Sequence, residues 1–329
     1  MARFLITGAS GFLGLNLVET LLRQGESVVG FSSDSIPDAA TAVFANLPGS
    51  FTPVVVDLRQ DAEVRRLILE HHPSYVVNAA AITPGPTPDA RIAPRIIDVN
   101  VLAALTLLEA SLEVGVQAFF QPSSAAVYGA GVFGLTPLRE EDEVRPTSLY
   151  AIAKLTVERL SLAFGARHRL PVVTGRIGGV FGPWERDTGV RELMSQPLQL
   201  VRLARFGAAA IISPRGDRDW CYAPSIAQSI LGLLRDTPRL EHRLFNINCG
   251  YTWPLADMCR ELARRFPQFS WRLAKDGEPT NIDYYEDPAH ERLPLDVSRL
   301  REAGHGDWVT HPIALAEYGD WLLGAGRTL

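Results

Sequence analysis

Near its start the chain reads Thr7-Gly8-Ala9-Ser10-Gly11-Phe12-Leu13-Gly14, and this spacing limits the possible folds more than any other feature. It follows an apolar run, Arg3–Thr7, and opens a helical pattern, Leu13–Gln24, that stops at Gly25. A strand turning sharply into a helix needs one glycine for the tight turn. A second lets the backbone approach a bound pyrophosphate, and a third lets the helix pack closely on the sheet. Free N–H groups and the positive helix end would then hold the diphosphate of a dinucleotide. The expected contacts are Gly8, Ser10, Gly11, Phe12, Leu13 and Gly14.

The alternation continues. Further candidate strands are Ser27–Phe31, Thr52–Val56, Tyr75–Asn78, Ala118–Gln121 and Val172–Arg176. Most are nearly unbroken apolar runs, as strands buried on both faces are. Helical patterns Ala62–His71 and Ile96–Val114 lie between them and end before Pro73 and at Gly115. This order predicts an α/β fold, a doubly wound parallel sheet of the Rossmann type with right-handed crossovers. After about residue 177 the alternation stops, and all six tryptophans fall in this half. Leu244–Ile247 reads as a seventh strand. The expected organisation is a dinucleotide-binding domain over 1–177 plus about 240–250. A smaller, mixed substrate-binding domain over 178–239 and 251–329 interleaves with it.

Composition narrows the function. Hydrophobic residues make up 47% and charged ones 21%, enough for a sizeable core. A formal net charge of -5 argues against a nucleic-acid partner, which calls for a basic stripe. No apolar run approaches the roughly 18 residues of a membrane span. Three cysteines, Cys221, Cys249 and Cys259, match no zinc or redox spacing, which fits a reducing, cytoplasmic setting. Among seven histidines there is no His-Glu-x-x-His, and His305 and His311 lie among Gly and Pro, so no metal is expected.

A second constellation lies further along. Tyr150-Ala-Ile-Ala-Lys154 opens a helical stretch running to about Phe164, and side chains at i and i+4 share one face. A phenol titrating near pH 10 is a poor acid–base catalyst at neutral pH, and a neighbouring ammonium favours the phenolate. That pairing would let Tyr150 exchange a proton with a substrate oxygen. Ser124, with Ser123 as the alternative, leaves the fifth strand where open α/β sheets place their ligands, and its hydroxyl could steady the reacting oxygen. The second strand ends in Ser32-Ser33-Asp34. Asp34 comes late for a ribose 2′-hydroxyl and no arginine follows for a 2′-phosphate, so NAD is favoured and NADP stays open. Asp57, after the third strand, is either an adenine contact or a turn aspartate.

The sequence resembles the extended short-chain dehydrogenases/reductases, the group of nucleotide-sugar epimerases, dehydratases and related dehydrogenases. Besides the glycine-rich turn, the matching segments are Asp57-Leu58, Asn78-Ala79-Ala80-Ala81, Asn100-Val101, Ser124-x-x-Val-Tyr-Gly129 and Tyr150-x-x-x-Lys154. Gly182-Pro183, Arg218-Asp219 and Asp296–Leu300 follow in family order. The resemblance implies Tyr150 as acid/base and Lys154 as a nicotinamide-ribose contact that tunes it. It implies Ser124 as the partner of the substrate oxygen and a hydride passing between a sugar-type carbon and nicotinamide. Ser32, Asp57, Leu58, Ala79, Ala80, Ala81 and Asn100 join the cofactor contacts. Thr83, Ser123, Trp184, Arg186, Arg218 and Arg292 are the candidate substrate contacts. A homodimer through the helices near Ile96–Val114 and Tyr150–Phe164 is implied as well.

Three departures shape the expected reaction. Dehydratases of this group carry an acidic residue where this chain has Ala125 and Ala126, which argues against dehydration. Arg218-Asp219-Trp220 is followed by Cys-Tyr-Ala-Pro-Ser rather than the usual pattern. Where a diphosphate clamp is expected the chain has Tyr284-Tyr-Glu286-Asp287-Pro, with Arg292 later. The expected function is an NAD(P)-dependent epimerase or dehydrogenase of a sugar or nucleotide-sugar alcohol. The alternatives are a dehydrogenase of a sugar acid or polyol and, in another class, a non-catalytic dinucleotide sensor.

Overall fold

Phe4, Leu5 and Ile6 of β1 (Arg3–Thr7) are all fully buried, so this strand must be covered on both faces. Phe4 and Ile6 join one apolar cluster and Leu5 the other, as the period-two alternation of a strand requires. The computed structural model describes residues 3–83, 90–188, 193–284 and 291–324.

From β1 the chain runs through α1 (Phe12–Arg23), β2 (Ser27–Ser32), α2 (Asp38–Phe44), β3 (Ser50–Val55), α3 (Asp61–His71) and β4 (Tyr75–Asn78). Then come α4 (Ala93–Ile97), α5 (Ala103–Val114), β5 (Ala118–Ser124), α6 (Leu149–His168) and β6 (Val172–Ile177). The remainder holds β7 (Val180–Phe181), α7 (Gln196–Arg205), β8 (Ala210–Ile212), β9 (Cys221–Tyr222) and α8 (Ala223–Asp236). It closes with β10 (Leu244–Ile247), α9 (Leu255–Arg265), β11 (Trp271–Leu273), α10 (Ser298–Glu302) and α11 (His311–Leu323).

Seven strands form one parallel sheet in the order β10-β6-β5-β4-β1-β2-β3. Strand order reverses between β1 and β4, one half of the sheet being added outward from each, so a ligand crevice opens beyond their carboxyl ends. One face is covered by α1 and α8, the other by α3 and α5, with α6 on β5 and β6. Two small pairs, β7 with β9 and β8 with β11, serve the C-terminal half. Its aromatic side chains pack with the α1 face in one cluster. The seventh strand, β10, returns from that half to pair with β6.

Four elements differ from the sequence expectation. β3 pairs only with β2 and exposes Val55 to 66%, so it is an edge strand, where Pro53 forfeits no needed N–H. The expected helix Ile96–Val114 is broken between α4 and α5 by a π-helical turn, Asp98–Leu102. A widened turn of this kind sets Asn100 apart from the apolar stripe and aims its side chain inward. α6 runs four residues past the expected end, to His168, and α2 was not anticipated at all. Phe44 of α2 anchors that short helix edge-on against Phe51 and Trp184.

Candidate functional site

The glycine-rich turn fits a phosphate because its backbone has no room for side chains. Gly8 adopts φ +63°, and a Cβ there would lie 2.7 Å from Ala80 Cα. At Gly14 the added carbon would stand 2.0 Å from the Gly8 carbonyl oxygen. Gly11 caps α1 without a side-chain hydrogen bond, and the first turn of the helix carries no acid. Its N-terminal N–H groups, at Phe12 and Leu13, thus remain for an anion, as a dinucleotide diphosphate requires.

Neighbouring strand ends are tied to this turn. Thr7 Oγ1 donates to Asn78 Oδ1 at 2.7 Å and accepts from the Ala80 N–H at 3.1 Å. Asn78 in turn donates to Gln121 Oε1 at 2.9 Å. This buried chain locks the ends of β1, β4 and β5 and sets the half-buried Ala79 and Ala80 beside Gly8, with half-buried Ala81 next along the chain. Thr7 and Gln121 were not among the residues singled out from sequence; a polar residue at the end of an apolar strand was the available signal.

Other expected cofactor residues take defined places. Asn100, 2% exposed, accepts from the Ile82 N–H at 2.8 Å and donates to the Ile82 carbonyl at 2.9 Å. It therefore shapes the loop leaving β4. Half-buried Thr83 ends the described part of that loop. Ser32 donates to the Asp34 carbonyl and Ser33 to the Asp34 carboxylate, both at 2.8 Å. Asp57 is gripped by Arg59, whose hydrogen bonds hold its carboxyl below the usual range, and Leu58 is buried behind it.

On α6, Tyr150 and Lys154 share a face, with Lys154 Nζ 5.9 Å from the centre of the Tyr150 ring. Lys154 is 5% exposed and donates to the Pro122 carbonyl at 3.2 Å, which moors it beside the end of β5. Tyr150 is half-buried, and no hydrogen bond holds its hydroxyl among the described residues. Ser124, also half-buried, caps a 3-10 turn (Ala125–Phe133) by accepting from the Ala126 N–H at 3.2 Å.

Ser123 and Ser124 part company here. Ser123 is 3% exposed and donates to Glu158 at 2.7 Å, so its expected role as a substrate contact is corrected: alternation along β5 turns it inward. Trp184 is corrected too. It is fully buried, stacks edge-on with Phe44 and Trp321, and donates its indole N–H to Glu19 at 2.6 Å. Arg186 lies on the dinucleotide turn rather than in a substrate pocket, donating to the Ser10 carbonyl at 2.7 Å.

Arg218 and Arg292, far apart in sequence, line a single cavity with Asp219, Trp220 and Tyr284. Asp219 is buried, accepts from Asn248 at 2.7 Å and from the Leu295 N–H at 3.2 Å, and orders the base of that cavity. Burial pushes its carboxyl up while Arg292 draws it back. Tyr284 was missed as a lining residue; its hydroxyl accepts from the Ser213 N–H at 3.0 Å. Glu286 and Asp287 lie outside the described residues. Among the described residues no group of three His, Cys, Asp or Glu side chains could hold a metal, and no helix is long and apolar enough to cross a membrane.

Protein CapI of Staphylococcus aureus is 30% identical to the chain over 189 residues, a match spanning 56% of each protein. The dTDP-glucose 4,6-dehydratase of Xanthomonas campestris pv. campestris is 27% identical, over 98% of this chain and 93% of that one. Among solved structures, UDP-glucuronic acid 4-epimerase from Bacillus cereus, in complex with UDP-glucuronic acid and NAD, superposes with a TM-score of 0.76. The two are 19% identical and the superposition covers 99% of this chain and 100% of that one, a likeness of fold. The pattern of the NAD dependent epimerase/dehydratase family matches residues 4–250. Because that match begins in β1 and runs past β10, it takes in every strand of the large sheet, and the chain belongs to this family of NAD-dependent enzymes, of the extended short-chain dehydrogenase/reductase type.

Proposed function

We propose that the protein is an epimerase of nucleoside-diphosphate sugars that removes and returns hydrogen at one carbinol carbon while keeping its NAD. The observation that carries this reading is the grouping of Tyr150, Lys154 and Ser124 at the carboxyl end of β5, beside the crevice. Bound there, NAD would supply the hydride acceptor and donor. Tyr150 takes the hydroxyl proton as the carbonyl forms and hands it back when the carbonyl is reduced. Lys154 attracts the negative charge on the phenolate. Ser124 already accepts the Ala126 N–H, which leaves its own O–H to donate to the sugar oxygen.

Arg218 and Arg292 supply positive charge for a diphosphate in one cavity, which favours a nucleotide sugar over a free sugar acid or polyol. Ala125 and Ala126 give no acid for removing water from the neighbouring carbon. The active unit in this reading is a homodimer joined through α5 and α6, with Leu102, the last residue of the turn before α5, 51% exposed and Ile152 of α6 46% exposed. The test is proton NMR of UDP-hexoses and UDP-hexuronic acids incubated with the protein. The expected result is a new sugar epimer without net NADH. Stoichiometric NADH with an oxidised sugar would make the enzyme a dehydrogenase instead.

A further inference from the structure

The adenosine-ribose end of the cofactor site is short of the charge that usually reads it. After β2 the chain offers two serines, while Asp34 stands two residues beyond the strand end with its carboxylate engaged by Ser33. A neighbouring cation arrives from elsewhere. Arg186 sits between the glycine-rich turn and Asp34: one guanidinium nitrogen donates to the Ser10 carbonyl at 2.7 Å, and the Asp34 carboxylate acts electrostatically on it. The other terminal nitrogen, Nη1, is buried and has no hydrogen-bond partner among the described residues. An unpaired, buried N–H group of a cation is costly and calls for an acceptor.

The segment that delivers Arg186 is firmly seated. Asn16 of α1, 2% exposed, donates to the Pro183 carbonyl at 2.8 Å. Trp184, with φ +68°, is fully buried against Phe44 and Trp321 and bonded to Glu19. Residues 183–186 are thus fastened to the helix whose N-terminus would receive the diphosphate.

We infer that Arg186 reads the 2′-position of the adenosine ribose, and that through it the site accepts the 2′-phosphorylated dinucleotide NADP as well as NAD. Between the first glycine-rich turn and the end of β2 lies the place where that ribose oxygen falls in a doubly wound sheet. There, an arginine with an unsatisfied N–H can donate to a hydroxyl or, more strongly, to a phosphate. The inference rests on the dinucleotide site alone and needs nothing of Tyr150.

Binding without turnover tests it. Titration calorimetry of the full chain freed of nucleotide, with NAD+, NADP+, ADP and 2′,5′-ADP, gives the affinities. The wild type is expected to bind NADP+ within about tenfold of NAD+, and 2′,5′-ADP more tightly than ADP. Arg186→Ala is expected to weaken NADP+ by about 30- to 100-fold and NAD+ by only about three- to fivefold, the range set by losing a charged rather than a neutral acceptor. Arg186→Lys should recover part of the NADP+ loss. No saturable binding of NADP+ or 2′,5′-ADP to the wild type, or an equal loss of both dinucleotides in Arg186→Ala, would overturn it. Because the wild-type arm stands alone, a variant that fails to fold leaves the inference testable.

Discussion

Glu158 and Arg176 form an ion pair with both side chains 0% exposed, directly behind the proposed catalytic group, and replacing Glu158 by Gln tests how far the site depends on it. Glu158 Oε1 accepts from Arg176 Nη2 at 2.8 Å, and Oε2 accepts from Arg176 Nε at 3.0 Å and from Ser123 at 2.7 Å. Each carboxylate oxygen therefore faces at least one donor. A glutamine puts an NH2 against at least one of those donors and leaves the Arg176 charge unbalanced in the interior. Breaking one partner of such a pair costs about 3–5 kcal/mol. For a chain of 329 residues unfolding with about 2.1 cal/mol/K per residue, about 4 kcal/mol lowers Tm by about 6 °C. Urea unfolding and calorimetry of Glu158→Gln read this directly. Replacing both partners, as Glu158→Leu with Arg176→Met, removes the charge imbalance and should recover most of the loss, since apolar replacements of buried pairs are often near neutral. If Glu158→Gln loses less than about 1 kcal/mol, or the double replacement is worse than the single one, the pair is not held as described.

Gly14→Ala should abolish tight NAD binding: its methyl would stand 2.0 Å from the Gly8 carbonyl oxygen, against 3.4 Å or more in ordinary contact. Spreading the turn by that amount is expected to raise the NAD Kd by about 30-fold or more in calorimetry, roughly 2 kcal/mol. All three cysteines are buried, and burial pushes the Cys249 and Cys259 thiols up to about 12 from an ordinary 9.0. A thiol reagent should therefore label none of them in the native protein and all three in urea. Their raised native values also mean that stability is fully present below about pH 9 and declines as pH rises towards 12, readable as a falling Tm. Replacing exposed Leu102 and Ile152 together by Glu should turn the proposed dimer into a monomer in sedimentation equilibrium, with the fold unchanged by circular dichroism.

The parallel sheet was legible because its strands are apolar on both faces and separated by glycine- and proline-bounded helices. Six of the seven expected strands start at the expected residue, and only the edge strand β3 shifts at both ends, from 52–56 to 50–55. Periodicity could not announce the π-helical turn at Asn100, because an inserted residue changes hydrogen bonding without changing composition. The grouping of Tyr150 with Lys154 followed from helical spacing alone, and their common face on α6 agrees with it. The roles of Trp184 and Arg186 did not follow, since their neighbours are about 165 to 176 residues away in sequence, on α1 and the glycine-rich turn. Arg218 and Arg292, both named from sequence as candidate substrate contacts, do line one cavity, which the folded C-terminal half assembles.

The proton-transfer assignment is tested most directly by the kinetics of Tyr150→Phe on the UDP-sugar that the wild type converts, with NAD affinity measured alongside. Removing the phenolic oxygen while keeping the ring should lower kcat by about 10²- to 10⁴-fold and leave the NAD Kd within about threefold. Turnover at the wild-type rate in that variant would mean that another group moves the proton, and the account of α6 as the catalytic helix would fall.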